Sequence, residues 1–437
     1  MLKYIWMVIQ DLFLTVTFVS LIHAVLAVRF GQRARRIHMI GIGIGTVASV
    51  ILAIVKYNTN KIVSSRWNHS IYVVILAFTA AFLITCLLFG RKKTEKEADP
   101  VTEDGRAGAL LCALSGAGLS AIWIFYTLPG AVAYPFIFNT MGNGYLSWYY
   151  MQRLLGWLAA FLILIIYAHL LYACAFQIRR RELPLAVLLL SLVINAFYCV
   201  CRFFVPWVNR AKWLKWPVKY DREKYGWAER LVKFGSKYAM AFIWVSAVLV
   251  LILLLVFFAE NMKVKDPYDN PAQHRKLKAR CRRHRRQAVG LLAFLGISAV
   301  SMSVVKAYDT REVALSEPET YTVEDDRILV PMESVSDGHL HRFEYRTEND
   351  VDVRWIVVKK PGSASFGVGL DACEVCGNAG YYERNGQVIC KRCDVVMNIN
   401  TIGFKGGCNP IPLSYEVDNG NLVFLLEDLL KGEKEFK

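Results

Sequence analysis

Apolar residues in this chain come in blocks of about twenty. That is the length at which a helix crosses a hydrocarbon core of about 30 Å with its backbone hydrogen bonds closed internally. Eight such blocks stand out: Ile5–Val28, Ile37–Val55, Ile71–Phe89, Ala107–Leu128, Arg153–Phe176, Leu183–Cys201, Tyr238–Ala259 and Ala288–Val305. With 55% of its 437 residues hydrophobic, the chain reads as an α-helical polytopic membrane protein of about eight helices, or seven. This multi-pass domain spans 1–306, and a water-soluble, mostly β domain follows at 307–437. The first block has a lysine ahead of it, as a signal peptide does. Its apolar run is too long and contains Asp11, and an arginine-rich loop follows, so it reads as a retained helix.

The formal net charge of +16 does not point to nucleic acid, because most of the cations lie in short loops between apolar blocks, where they set topology. Loops 1, 3, 5 and 7, from Arg29 to Arg286, carry the larger share of Arg and Lys. This places both termini, and the C-terminal domain, outside the cytoplasm. The conflicting cations lie in the sixth loop, RFFVPWVNRAKWLKWPVKY, which is rich in aromatics as an interfacial segment is. The run HRKLKARCRRHRR, 274–286, reads as a topogenic loop facing anionic lipid. Gly41 and Gly45 form a small-xxx-small helix-packing face, so the nearby glycine run is not a nucleotide loop.

After about Lys306, alternating segments predict strands at Arg327–Met332, His339–Arg346 and Val351–Lys359. A hairpin is predicted around Asn419-Gly420, and a short helix at Leu425–Leu430. Within this part, 371–413 holds five of the chain's eleven cysteines in the pattern C-x2-C-x13-C-x2-C-x14-C: Cys373, Cys376, Cys390, Cys393 and Cys408. Two C-x-x-C turns can complete a tetrahedral sulfur shell around zinc or iron, or hold an iron–sulfur cluster. Two disulfides are the alternative in an oxidising compartment, although each would close a very short loop and stabilise little. Cys408 can replace a ligand, cap a cluster or stay a reduced thiol.

CEVCGNAGYY, QVICKRCDVVMNINTIGFKGGCNPIPL and the upstream DGHLHRFEY resemble the FtrD-like membrane iron–sulfur protein family. The resemblance is specific over about 337–413 and only architectural over the helices. It implies a multi-helix membrane part in the bacterial inner membrane and an iron–sulfur or related redox centre at Cys373, Cys376, Cys390 and Cys393, with Cys408 nearby. It also implies a role in iron uptake beside a high-affinity iron permease and a periplasmic iron- or copper-binding protein. His341 matches the family pattern and is a candidate additional ligand; with His339 it forms H-x-H, two rings on one face of a strand.

Inside the bilayer, His23 and His169 fall at similar depth on different helices, where two histidines can ligate a haem b or simply hydrogen-bond to neighbouring helices. Asp11 is a carboxylate within a span, a costly placement that is often functional. Cys199 and Cys201 are about 200° apart on a helix and make no ligand pair. No GxSxG, P-loop or HExxH is present in the soluble part, which leaves hydrolase and ATPase chemistry without support. The expected function is membrane-anchored electron transfer in iron uptake. Two rivals are a transporter or structural subunit with a zinc-stapled docking module, and a thiol–disulfide relay.

Overall fold

The computed structural model describes residues 2–58, 64–89, 103–137, 148–213, 222–310, 313–374, 376–384, 386–392, 395–406 and 408–436. Cys393, the loop-3 cations Arg91, Lys92, Lys93 and Lys96, and residues 214–221 of the aromatic sixth loop lie outside them. The chain divides into two compact units, one of Met1–Ile137 and Gln152–Asp309, the other of Phe138–Met151 and Thr310–Lys437.

The first unit is helical. Its elements are α1 (Leu2–Arg29), α2 (Gly31–Asn58), α3 (Ser64–Phe89), α4 (Glu103–Ile137), α5 (Trp148–Gln177), α6 (Glu182–Trp213), α7 (Arg222–Lys237), α8 (Ala239–Glu260) and α9 (Pro271–Val300). A π-helical turn, Ser301–Val305, carries α9 into the last short turn, α10 (Lys306–Asp309). Among the described residues, eight helices are long and apolar enough to cross a membrane; the eighth, Pro271–Asp309, runs from α9 through the π turn into α10, and α7 is not among them. The chain is thus a multi-pass helical membrane protein with a C-terminal β region. Within α1's span 61% of the most apolar window is buried, against 28–50% in the others, which makes α1 the central helix.

Small residues bring α2 onto α4. A Cβ built at Gly41 would stand 2.8 Å from the Ala117 side chain, and one at Gly45 would stand 2.7 Å from the Ala121 Cα. The basic run forecast as a loop is instead the N-terminal half of α9. Asn270 caps that helix by accepting from the Gln273 amide at 2.8 Å, Pro271 occupies its first position, and its Arg, Lys and Ala residues are good helix formers.

The second unit is built from β1 (Thr322–Glu324), β2 (Arg327–Pro331), β3 (His341–Arg346), β4 (Asp352–Lys359), β5 (Phe366–Leu370), β6 (Tyr381–Arg384), β7 (Gln387–Cys390), β8 (Glu416–Asp418), β9 (Asn421–Leu425) and the short α11 (Leu426–Lys431). The strands form sheets ordered β1-β2-β9-β8, β3-β4-β5 and β6-β7, with every pair antiparallel. The β8–β9 turn puts both Asn419 (φ 48°) and Gly420 (φ 78°) in the left-handed region, as a two-residue hairpin of matching twist requires.

β4 organises this unit because both its faces are buried. Alternate side chains point to opposite faces of a strand. Val353, Trp355 and Val357 therefore join Phe343, Ile328 and Phe424 in one core. Ile356 and Val358 join Cys373, Cys376, Tyr381, Cys390 and Met397 in another. On β5, a Cβ at Gly367 would meet Ile402 at 2.8 Å and one at Gly369 would meet Pro410 at 2.7 Å. These glycines let the segment leading to and from Cys408 lie directly on the sheet, where Leu370 N donates to Ile411 O at 2.7 Å.

Gly45→Leu is expected to lower the thermal stability of the detergent-solubilised protein, by an overpacking cost of about 1–3 kcal/mol. Gly43→Leu, on a helix face with nothing within 4 Å, is expected to leave the melting temperature unchanged.

Candidate metal centre

The first knuckle closes on itself. Cys373 and Gly377 exchange backbone hydrogen bonds in both directions (3.1 and 2.9 Å), and Gly377 takes φ +66°, which a residue with a Cβ adopts only under strain. Within this loop the Cys376 amide donates to the Cys373 Sγ at 3.1 Å.

The second knuckle begins at the end of the β6–β7 hairpin, whose register sets Cys390 opposite Tyr381. Past Cys390 the chain turns sharply: Cys390 N donates to Val395 O at 3.0 Å and Lys391 N donates to Gly380 O at 2.9 Å. The Arg392 Nη1 donates to the Cys376 carbonyl at 3.0 Å and ties the two knuckles together.

The sulfurs of Cys373, Cys376 and Cys390 lie within 4.8 Å of one another, and each residue is at most 5% exposed. No disulfide joins them. Sulfurs bound to one tetrahedral ion at about 2.3 Å stand about 3.8 Å apart. The three are therefore close enough to share one metal centre. Cys393 falls between Cys390 and Val395, outside the described residues. Cys408 is half-buried against the same cluster but is not one of the three grouped sulfurs. Its carbonyl accepts from the Tyr381 hydroxyl at 2.6 Å. Burial, and then the adjacent Cys373 sulfur, push the Tyr381 phenol well above its ordinary pKa.

A buried ion pair holds the base of the site. Asp371, two residues before Cys373, is fully buried, and its Oδ2 accepts from Arg342 Nε at 3.0 Å and from Arg354 Nε at 3.3 Å. Its Oδ1 accepts from the Tyr381 amide at 2.8 Å. Arg342 is 1% exposed and uses its remaining donors on Ser316 O and Oγ (2.8 and 2.6 Å) and on the Tyr381 carbonyl. Spacing rules that find cysteines do not find this pair. The signal available was an Arg between alternating apolar residues in HLHRFEY and an Asp abutting the first knuckle.

The histidines of the H-x-H do not share a strand face. β3 begins only at His341, after a turn in which Gly338 has φ +85° and Asp337 accepts from the His339 amide at 2.8 Å. His341 is buried, its Nδ1 2.9 Å from Glu319 and its Nε2 2.8 Å from Asp337, so carboxylates engage both ring nitrogens and neither faces the thiols. His339 is exposed and reaches Glu383 at 2.7 Å. That contact raises the His339 pKa, while the His339 amide and then the His341 ring lower that of Asp337.

In the helical unit His23 lies 3.0 Å from His38, Nδ1 to Nδ1, and against Tyr172. His38 is buried and its Nε2 is 2.7 Å from Ser120 Oγ. His169 sits on the exposed face of α5. A haem shared by His23 and His169 needs both rings in one interior cavity, and this arrangement does not supply it. Asp11 accepts a hydrogen bond from Tyr134 on α4.

Residues 335–436 match the model of a family described as membrane iron-sulfur containing protein FtrD-like. The FtrD-like segment covers β3 to β9 and both knuckles, together with Arg342 and Asp371. No curated protein and no solved structure matched the chain.

Asp371→Ala strands two guanidinium groups, one of them buried. The expected loss is about 3–5 kcal/mol, read from urea unfolding of the full-length protein by near-ultraviolet circular dichroism. The His339–Glu383 contact contributes fully below the ordinary histidine pKa and is lost as pH rises through the raised one. An NMR titration of His339 is expected to show a midpoint above the usual histidine value, falling toward it in Glu383→Gln, with Asp337 still raising it.

Proposed function

We propose that this protein is a membrane-anchored iron–thiolate electron-transfer component of a bacterial iron-uptake system. It would sit in the inner membrane with its C-terminal unit on the extracytoplasmic side. The observation that carries this reading is the buried convergence of Cys373, Cys376 and Cys390, in a segment similar to a family described as iron–sulfur containing membrane proteins. Cys393, three residues after Cys390 in the sequence, is the fourth ligand in this reading, and Cys408 flanks the centre. The excess of cations in the odd-numbered loops supports the orientation.

Bound iron supplies a one-electron couple. The protein holds three sulfurs in a rigid, water-poor pocket. The Cys376 amide donates to the Cys373 sulfur, which stabilises thiolate charge and sets the potential together with burial. Ile356, Val358, Met397 and Ile402 screen the site from solvent. The partners that fit are an iron permease, which receives the ion, and a periplasmic iron- or copper-binding protein, which delivers it.

The same sulfur spacing fits zinc, which would make the unit a docking module of a transporter or structural subunit. Metal analysis of the purified protein separates the readings. Iron with a visible band that bleaches on reduction is expected, and the band is lost in Cys373→Ser, Cys376→Ser or Cys390→Ser but kept in Cys408→Ser. Acid-labile sulfide distinguishes a cluster from a single ion. Colourless protein with one equivalent of zinc, or metal-free protein with titrating dithiols, would overturn electron transfer by iron. An inactive C-terminal alkaline phosphatase fusion beside a fluorescent cytosolic reporter fusion would overturn the orientation.

A further inference from the structure

Where α8 meets α9, a cleft of about 610 Å³ is lined by Phe258, Ala279, Arg282, Arg285, Arg286 and Val289. Its two ends differ in chemistry. Arg282, Arg286 and Val289 follow at i, i+4 and i+7 on α9, so they stack along one helix face, with Arg285 beside them. The charges of α9 stop at Arg286, and from Ala288 to Val300 the helix is apolar. Phe258 lies near the C-terminal end of the apolar α8. The cleft therefore straddles the level at which both helices pass from hydrocarbon to a charged surface.

The three guanidinium groups are not neutralised from within. Among the described residues no carboxylate pairs with Arg282, Arg285 or Arg286. The acids of the α8–α9 connection serve the turn after α5: Glu260 accepts from the amides of Arg179 and Arg180 at 2.8 and 3.2 Å, and Asp266 pairs with Arg179 at 2.9 Å. Converging positive charge immediately above an apolar wall matches a phosphodiester attached to an acyl chain. A soluble anion gains nothing from Phe258 and Val289, and a neutral lipid gains little from three arginines.

We propose that this cleft is a binding site for one anionic phospholipid. Its phosphate is held by Arg282, Arg285 and Arg286, and an acyl chain lies against Phe258 and Val289. The site would fix α9 against α8 in membranes that carry such lipids.

The test is native mass spectrometry of the full-length protein with phosphatidylglycerol, phosphatidylcholine or glycerol 3-phosphate added. Phosphatidylglycerol is expected to be retained in preference to phosphatidylcholine, and glycerol 3-phosphate at equal concentration should not displace it. The triple substitution Arg282→Gln, Arg285→Gln, Arg286→Gln is expected to weaken retention about a hundredfold, at about fivefold per arginine. The charge-matched triple Arg275→Gln, Lys276→Gln, Lys278→Gln, on the same helix outside the cleft, is expected to leave it unchanged. Equal losses in the two triples would mean diffuse attraction, displacement by glycerol 3-phosphate would mean a phosphate site, and no lipid preference would mean no site. Each of these overturns the proposal. If the first triple is not monodisperse, the single variants Arg282→Gln and Arg286→Gln, each expected about fivefold weaker, decide.

Discussion

A carboxylate with no access to water stands at the base of the thiol site. Asp371 receives Arg342, Arg354 and the Tyr381 amide at once, so it fixes the approach to the first knuckle and the start of the hairpin that carries the second. Isolating such a charge from water is costly, and only a closed set of donors makes it tolerable. The set is nearly closed from the other side as well, because Arg342 satisfies Ser316 and Tyr381 in addition to Asp371. This ion pair thus helps to set the distance between Cys373 and Cys390, together with the Arg392 bond to the Cys376 carbonyl. Its value lies in geometric definition more than in net stability.

The strand behind this pair explains why the sulfurs are dry. β4 carries an unbroken apolar run, Trp355 to Val358, with Val353 before it, and so buries side chains on both faces. Its odd-numbered residues close the core between two sheets, while Ile356 and Val358 form the floor beneath the cysteines. The metal site is therefore not a loop decoration but the second core of the unit. Close backbone approach at Gly367 and Gly369 completes the roof by letting the Cys408 segment pack on β5. A side chain at either position would lift that segment away and admit water to the thiols.

The parts of this molecule legible in the sequence are those governed by local periodicity. Blocks of about twenty apolar residues marked eight helices, alternation marked β2, β3 and β4, and Asn419-Gly420 marked the last hairpin. Each depends on a few neighbouring residues and on one dominant force. What was not legible depends on pairs far apart in the chain. Arg342 and Asp371 are 29 residues apart, and His38 meets Ser120 across 82. The H-x-H shows the same limit at short range: alternation puts His339 and His341 on one face only if both lie in the strand, and the Asp337 turn delays β3 by two residues. The basic run was misjudged for a different reason. Charge density suggested a loop, while the residues carrying it are strong helix formers behind a good cap.

Polar groups within the helical unit show why intramembrane ionisable residues are weak guides taken singly. In the sequence Asp11 was a costly carboxylate of a kind that is often functional, and His23, with His169, was either a haem ligand or a helix-packing residue. In the structure Tyr134 serves Asp11, and Thr15 meets Thr127 at 3.0 Å one turn further along the same pair of helices. Near the opposite end of α1, His38 serves His23 and Ser120 serves His38. The α4 partners Ser120, Thr127 and Tyr134 recur every seven residues, the spacing at which one helix face repeats. They therefore form a seam that holds α4 along α1 and α2, in a solvent where hydrogen bonds between helices have no water to compete with them. The distinction matters for where this chain can hold a metal. Cys373, Cys376 and Cys390, gathered in a dry pocket, offer three sulfurs suited to a soft cation. Histidines already bonded to one another and to a serine pack helices, whereas the sulfurs grouped closely enough to hold one metal ion lie in the C-terminal unit.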